Sequence, residues 1–121
     1  MASEFTIVEH PIDGERHLVA VRGDLDLFTA SQLKEVFAHA IEAGRIRIIV
    51  DLAETTFLDS SALSVLLIAF KRLHSRCGAL AIANQNENLA KIFKITGLDQ
   101  TFTILPTRDA AIEAVASANA A

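Results

Sequence analysis

The sequence predicts an α/β fold: a mostly parallel mixed sheet of about five strands with an N-terminal β-hairpin and about four helices. Apolar runs of strand length, at residues 46–52 and 79–83, alternate with segments of helical periodicity, which is typical of a parallel sheet. The first two strands are instead joined by a short turn that contains Asp13 and Gly14, a pair suited to a hairpin. The predicted order is therefore β-β-α-β-α-β-α-β-α.

Three strands and one helix are expected in the first half of the chain. The strands are expected at residues 5–9, 15–21 and 46–52. The third is apolar throughout, which is typical of a strand buried on both faces. Thr29 and Gln32 have the spacing of a capping box, so Thr29 is expected to cap the first helix, and Gly44 is expected to end it.

The second half is expected to hold three helices and two strands. The helices are expected at residues 61–76, at 86–95 and from Thr107 onward, and the strands at 79–83 and 101–105. Gly78 is expected to end the first of these helices, and Cys77 to pack there as a small apolar residue. The same helix has almost no polar face in its first half. The region near Leu63, Leu66 and Leu67 is therefore expected either to form an exposed docking patch or to be covered by a neighbouring helix.

Length and composition indicate a single domain over residues 1–121, with a core at about 4–117 and a frayed tail at 118–121. Hydrophobic residues make up 51% of the chain and charged residues 21%, which excludes a disordered chain. The net charge of -4 argues against a nucleic-acid partner. The N-terminus has no basic region, and the longest apolar block is far shorter than the ~20 residues of a membrane span. We therefore expect a cytoplasmic protein without membrane insertion.

No pattern of catalytic or cofactor-binding residues stands out. The chain has neither a Gly-rich phosphate loop nor a G-x-S-x-G sequence. Its histidines are His10, His17, His39 and His74. They lack metal-ligand spacing, and each is expected to be a surface or cap residue. A divalent-metal cluster of Asp24, Asp26 and Asp59 is the alternative to ordinary aspartates at strand ends. We expect no catalytic residue, no metal and no cofactor.

The segment Asp59-Ser60-Ser61 stands where the second predicted helix begins. Asp and Ser satisfy the free N–H groups of a helix start, and the same groups, together with the helix dipole, can bind an anion such as phosphate. The residues alone leave two interpretations open, an ordinary helix cap and a phosphorylation switch. In the second case we expect the first-turn N–H groups to hold the phosphate.

Four short segments, in this order and spacing, resemble the STAS domain of bacterial anti-sigma factor antagonists. They are Gly-Asp-Leu-Asp at 23–26, Phe-Leu-Asp-Ser-Ser-Ala-Leu at 57–63, Lys-Arg-Leu at 71–73 and Ile-Thr-Gly-Leu-Asp at 95–99. The resemblance implies an antagonist that, when unphosphorylated, binds an anti-sigma factor serine kinase with a GHKL-type ATPase fold and so releases a sigma factor. Phosphorylation would switch the antagonist off, and a PP2C-type phosphatase would reset it.

The resemblance also implies roles for individual residues. By position, Ser61 is the phosphorylated residue, with Ser60 as the alternative. Asp26 matches a family aspartate that faces the phosphorylated serine, Asp59 matches the aspartate before the serines, and Asp24 stands where the family often has Glu. The implied partner-binding residues are Asp24, Asp26, Asp59, Ser60, Ser61, Ala62, Leu63 and Leu66.

Ala62 departs from the family pattern, which has Gly after the second serine. A methyl group at this position is expected either to hinder the kinase or to change which kinase fits. The alternative function is a constitutive STAS interaction module, such as a subunit of a lipid-transport complex or a signalling scaffold, that phosphorylation does not regulate. A third hypothesis is a small enzyme or nucleotide-binding protein with its site at the strand ends.

Overall fold

The computed structural model of the chain describes residues 4–116, so the predicted tail at 118–121 lies outside the described residues. The strands are β1 (Thr6–Pro11), β2 (Arg16–Leu25), β3 (Arg47–Leu58), β4 (Ala79–Ala83) and β5 (Thr103–Leu105). The α-helices are α1 (Leu27–Glu42), α2 (Ser60–Ser75), α3 (Glu87–Ile95) and α4 (Arg108–Ala114), with a short 3₁₀ helix at Leu98–Gln100. The predicted α/β fold and element order are confirmed.

The sheet begins with an antiparallel hairpin and continues in parallel. Its strand order is β1-β2-β3-β4-β5, with β1 antiparallel to β2 and the other neighbours parallel. Asp13 closes the hairpin turn, because its carboxylate accepts hydrogen bonds from the backbone N–H of Glu15 (3.0 Å) and from the backbone N–H and Nε of Arg16 (both 2.7 Å). These bonds, the Arg16 backbone N–H foremost, lower the pKa of Asp13 to about 2.

The helices lie on both faces of the sheet. Ile48 and Val50 of β3 pack in the main core with α1, α2 and α3. Ile49 packs on the opposite face, in a smaller core with Ala111 and Val115 from α4 and its C-terminus. Because successive strand residues point to opposite faces, this division confirms that β3 is buried on both sides.

β3 is longer than its apolar run. The sequence predicted a strand at 46–52, whereas β3 continues to Leu58. The added residues pair in parallel with the second half of β2, and the pairing ends with Leu25 opposite Leu58. The buried hydroxyl of Thr55 donates to the carbonyl oxygen of Val21 at 2.9 Å. Most of the added residues are exposed, and polar residues are common among them. The apolar pattern of the sequence therefore stops before the strand does.

The end of α2 differs from the prediction, although the predicted end of α1 at Gly44 (φ +85°) is confirmed. Cys77, not Gly78, takes the left-handed conformation after α2, with φ +60°. Cys77 is exposed, so the expectation that it packs as a small apolar residue at the helix end is wrong. Gly78 is required for a close approach instead, because a Cβ there would lie 2.1 Å from the carbonyl oxygen of Ile46.

One histidine also departs from expectation. His10, His39 and His74 are exposed, whereas His17 is buried, so the expectation of a surface residue is wrong for His17. Its position in β2 turns it toward the face that α1, α2 and α3 cover. Nε2 of His17 lies 2.8 Å from a carboxylate oxygen of Glu9 in β1.

Candidate functional site

The candidate site lies where β2 and β3 end and α1 and α2 begin. Leu25 and Leu58, the last residues of the two strands, stand opposite each other in the parallel register. Asp26 and Asp59 follow directly, and each is the N-cap of the next helix. The backbone N–H of Asp59 donates to the carbonyl oxygen of Leu25 at 3.1 Å. The two helix starts are therefore adjacent.

Asp26 caps α1 through a reciprocal set of hydrogen bonds. Its carboxylate accepts from the backbone N–H groups of Phe28 and Thr29, both at 3.0 Å, and the Thr29 hydroxyl accepts from the Asp26 N–H at 2.8 Å. The expectation that Thr29 is the N-cap is therefore wrong, because the carboxylate three residues earlier takes that role and Thr29 completes the capping box. These bonds, the Thr29 backbone N–H foremost, hold the pKa of Asp26 below its ordinary value.

Asp59 caps α2 beside the two serines. Its carboxylate accepts from the backbone N–H groups of Ser61 (2.9 Å) and Ala62 (3.2 Å). In the unphosphorylated chain these two N–H groups are therefore bonded to Asp59. Ser60 is exposed and Ser61 is half-buried.

Asp24 belongs to the same edge of the sheet but has a structural partner of its own. Its carboxylate accepts from the Thr56 hydroxyl at 2.5 Å, and its carbonyl oxygen accepts from the Thr29 hydroxyl at 2.7 Å. These contacts join the end of β2 to β3 and to α1. The structure therefore brings Asp24, Asp26 and Asp59 to one edge, and Thr29 bonds to both Asp24 and Asp26.

The structure gives no support for a metal cluster of Asp24, Asp26 and Asp59. Within residues 4–116, no group of three or more His, Cys, Asp or Glu side chains is arranged to hold a metal ion.

Across the same residues, no helix combines the length and apolar character that a bilayer span requires.

The apolar side of α2 is covered, not exposed. Ala62 and Leu66 are 0% exposed and Leu63 is 9% exposed, and all three pack in the main core with α1 and the sheet. The expected docking patch near Leu63, Leu66 and Leu67 is therefore wrong, and the alternative of a covered face is confirmed. The Ala62 methyl points inward, so it is not in the way of a partner, and Ala62, Leu63 and Leu66 offer no side-chain surface for binding.

Three exposed apolar residues around the site were not identified from the sequence. Leu27 and Phe28 follow the Asp26 cap, and Phe57 precedes Asp59 by two residues; all three are exposed, Phe28 by 79%. A signal for Phe28 existed, because it shares a helix face with the polar positions Gln32 and Glu35, away from the apolar stripe. Aromatic residues are enriched in surfaces that bind other proteins.

The sequence model of the STAS domain matches residues 8–111, most of the chain. The chain belongs to the STAS-domain family of anti-sigma factor antagonists, and several of its relatives are named anti-sigma-B factor antagonists. It is 33% identical over 87 residues to the anti-sigma-B factor antagonist of Listeria monocytogenes, covering 71% of this chain and 75% of that protein. It is 32% identical over 87 residues to the anti-sigma-B factor antagonist of Bacillus subtilis, covering 71% and 78%.

Solved structures support the same fold. An anti-sigma factor antagonist from Mycobacterium paratuberculosis superposes with a TM-score of 0.85 at 26% identity, covering 95% of this chain and 98% of that one. The Bacillus cell fate determinant SpoIIAA in its phosphorylated form superposes with a TM-score of 0.71 at 24% identity, covering 93% and 99%, which establishes the fold alone.

Proposed function

We propose that this antagonist binds an anti-sigma factor serine kinase with a GHKL-type ATPase fold, and that phosphorylation of Ser61 ends the binding. The observation that carries the proposal is the position of Ser61 in the first turn of α2, at a surface edge between two capping aspartates. Binding in the unphosphorylated state would release the sigma factor in the cytoplasm, and a PP2C-type phosphatase would restore that state. The chain acts here as a kinase substrate and binding partner, without catalysis of its own.

The proposed contact surface combines charge with apolar area. Asp24, Asp26, Asp59 and Ser60 supply the polar part around Ser61, and Leu27, Phe28 and Phe57 supply the exposed apolar part. Aromatic residues in such a surface contribute a large share of binding energy when a partner buries them.

The proposed switch needs no large conformational change. A phosphate adds about -1.5 to -2 charges at pH 7. The first-turn N–H groups of α2 already bond to Asp59, so the new charge must be satisfied by the partner or by water. An unpaired charge at an interface costs about 2–5 kcal/mol, which corresponds to about 30- to 4,000-fold in affinity.

Ala62 does not weigh against this proposal. Its methyl group is buried beneath the first turn of α2 and does not meet a docked kinase. The departure from the family's Gly therefore has no steric effect at the surface that carries Ser61. The alternative is a constitutive STAS module, such as a lipid-transport subunit or a signalling scaffold. It rested partly on Ala62 and therefore loses that support.

The test is a pull-down from the source cell extract with matched baits. The baits are wild type, Ser61→Ala, Ser61→Asp, Ser60→Ala and Ser60→Asp. We expect all except Ser61→Asp to retain a GHKL-type protein. If both aspartate variants retain the same partner as wild type, the module is constitutive and Ser61 is only part of a helix cap. If Ser60→Asp alone loses the partner, the switch is at Ser60.

A further inference from the structure

The surface between α1 and α2 contains a small apolar notch with a basic mouth. Its volume is about 60 Å³, roughly that of four to six water-sized spheres, which suits the end of one aliphatic side chain. The apolar lining consists of Phe37, Ala38, Val65, Ile68 and Ala69. Lys34 of α1 and Arg72 of α2 lie at the mouth.

The exposure of Ile68 shows that the rest of the chain does not cover the apolar lining of the notch. It is 52% exposed, while Leu66 and Ala69 of the same helix are buried. The remaining exposed residues of α2 are polar or basic, so Ile68 is an isolated apolar contact on a polar face. A single side chain inserted beside it would bury this apolar area.

The charge around the notch is positive, although the chain as a whole carries -4. α2 contains Lys71 and Arg72 and has no Asp or Glu anywhere in its length. Within residues 4–116, neither Lys34 nor these two cations forms an ion pair. Unpaired cations around an apolar recess are complementary to an apolar side chain flanked by carboxylates.

The notch is continuous with the proposed switch surface. Ser61, Val65, Ile68 and Arg72 follow one another at spacings of four, three and four residues, so they share a face of α2. Ser61 and Ile68 are separated by about 10 Å along the helix axis, at 1.5 Å per residue. The notch is therefore within reach of a protein that covers Ser61.

We propose that this notch binds an acidic segment of the anti-sigma factor, with one aliphatic side chain inserted beside Ile68 and carboxylates facing Lys34 and Arg72. This inference rests on the proposed function, because it assigns a second anchor to the same partner. Contacts at the Ser61 edge then depend on the phosphorylation state. The notch adds affinity for the anti-sigma factor that phosphorylation does not directly remove.

The test measures binding of the purified anti-sigma factor that wild type retains, by calorimetry and by association kinetics. We expect Ile68→Ser to weaken binding about tenfold. We expect the double variant Lys34→Glu/Arg72→Glu to slow association at least about tenfold and to abolish most of its salt dependence. The matched controls are Ile95→Ser and Lys91→Glu/Lys94→Glu on α3, which change an exposed isoleucine and reverse two cations elsewhere and should bind as wild type does.

A photo-cross-linking residue, p-benzoylphenylalanine in place of Ile68, identifies the occupant directly. We expect mass spectrometry to find it joined to a partner peptide that contains Asp or Glu beside an aliphatic residue. A cross-link to a second copy of this chain, or to a segment without acidic residues, overturns the inference.

The two proposals fail differently. If wild type binds and Ser61→Asp does not, but the notch variants bind as wild type does, only the notch is wrong. If wild type binds no anti-sigma factor, both proposals are wrong.

Discussion

Asp26 and Asp59 occupy equivalent positions in two neighbouring strand–helix units. Each directly follows one member of the register pair Leu25 and Leu58, and each caps the helix that comes next. The Asp59 N–H bonds to the residue before Asp26, which fixes the spacing of the two helix starts. The carboxylates of Asp26 and Asp59 therefore lie with that of Asp24 at the edge where α2 and Ser61 begin, and a phosphate on Ser61 adds a fourth anionic group.

The Asp59 cap supports α2 independently of any partner. We expect Asp59→Ala to lower the free energy of unfolding by about 1 kcal/mol, because two first-turn N–H groups lose their acceptor. Urea denaturation followed by circular dichroism measures the change. Ser60→Ala is the control and should leave stability within about 0.5 kcal/mol of wild type, because the Ser60 side chain is exposed. Equal stability of Asp59→Ala and wild type would contradict the capping geometry.

Truncation of Leu66 should destabilise the fold much more than truncation of Ile68. Leu66→Ala should lower the free energy of unfolding by about 2–5 kcal/mol, because its side chain is fully buried in the main core. Ile68→Ala should cost far less, because half of the Ile68 side chain faces solvent. Denaturant titration of both variants measures the free energy of unfolding. A larger loss for Ile68→Ala than for Leu66→Ala would contradict the described orientation of α2.

Phe28 should contribute to partner binding without contributing to stability. We expect Phe28→Ala to weaken binding to the anti-sigma factor by about tenfold or more, because a docked partner buries an exposed aromatic ring. The matched control is Ile95→Ala, which removes another exposed apolar side chain on α3. Unchanged affinity of Phe28→Ala, measured by calorimetry, would remove α1 from the contact surface.

Acid should weaken the fold through Asp13 and Asp26. The pKa of Asp13 falls from 3.8 to about 2 in the folded chain, and the pKa of Asp26 is also lowered from 3.8. A lowered pKa means that the folded state binds fewer protons, so both groups stabilise the fold above pH 3.8. That contribution is lost as the pH falls below 3.8 toward 2. Carboxyl titration by NMR checks whether both pKa values are lowered. An Asp13 pKa at its ordinary value would contradict the turn geometry.

Much of the fold could be predicted because local signals agreed with the tertiary structure. Thr107 caps α4 as predicted, and α3 begins within one residue of its predicted start, with Asn86 as its cap. At α1 the sequence pattern predicted the wrong cap, Thr29. The structure uses Asp26, because its carboxylate reaches two N–H groups while Thr29 returns a bond.

Other features depend on contacts between distant segments. The second half of β3 contains Glu54, Thr55 and Thr56, which do not resemble a buried strand; its strand conformation comes from pairing with β2. The burial of Leu66 likewise requires α1 to lie beside α2, which helical periodicity alone does not reveal. Within the site, the motif located the aspartates and serines, whereas the exposure of Phe28 became evident only in the folded chain.

The most direct test of the account is to incubate the purified chain with its anti-sigma factor and ATP, map the phosphate by mass spectrometry and measure the affinity of the product. We expect one phosphate, on Ser61, and a loss of affinity between about 30- and 4,000-fold. A chain phosphorylated elsewhere, or one phosphorylated at Ser61 that still binds as tightly as before, would contradict the switch.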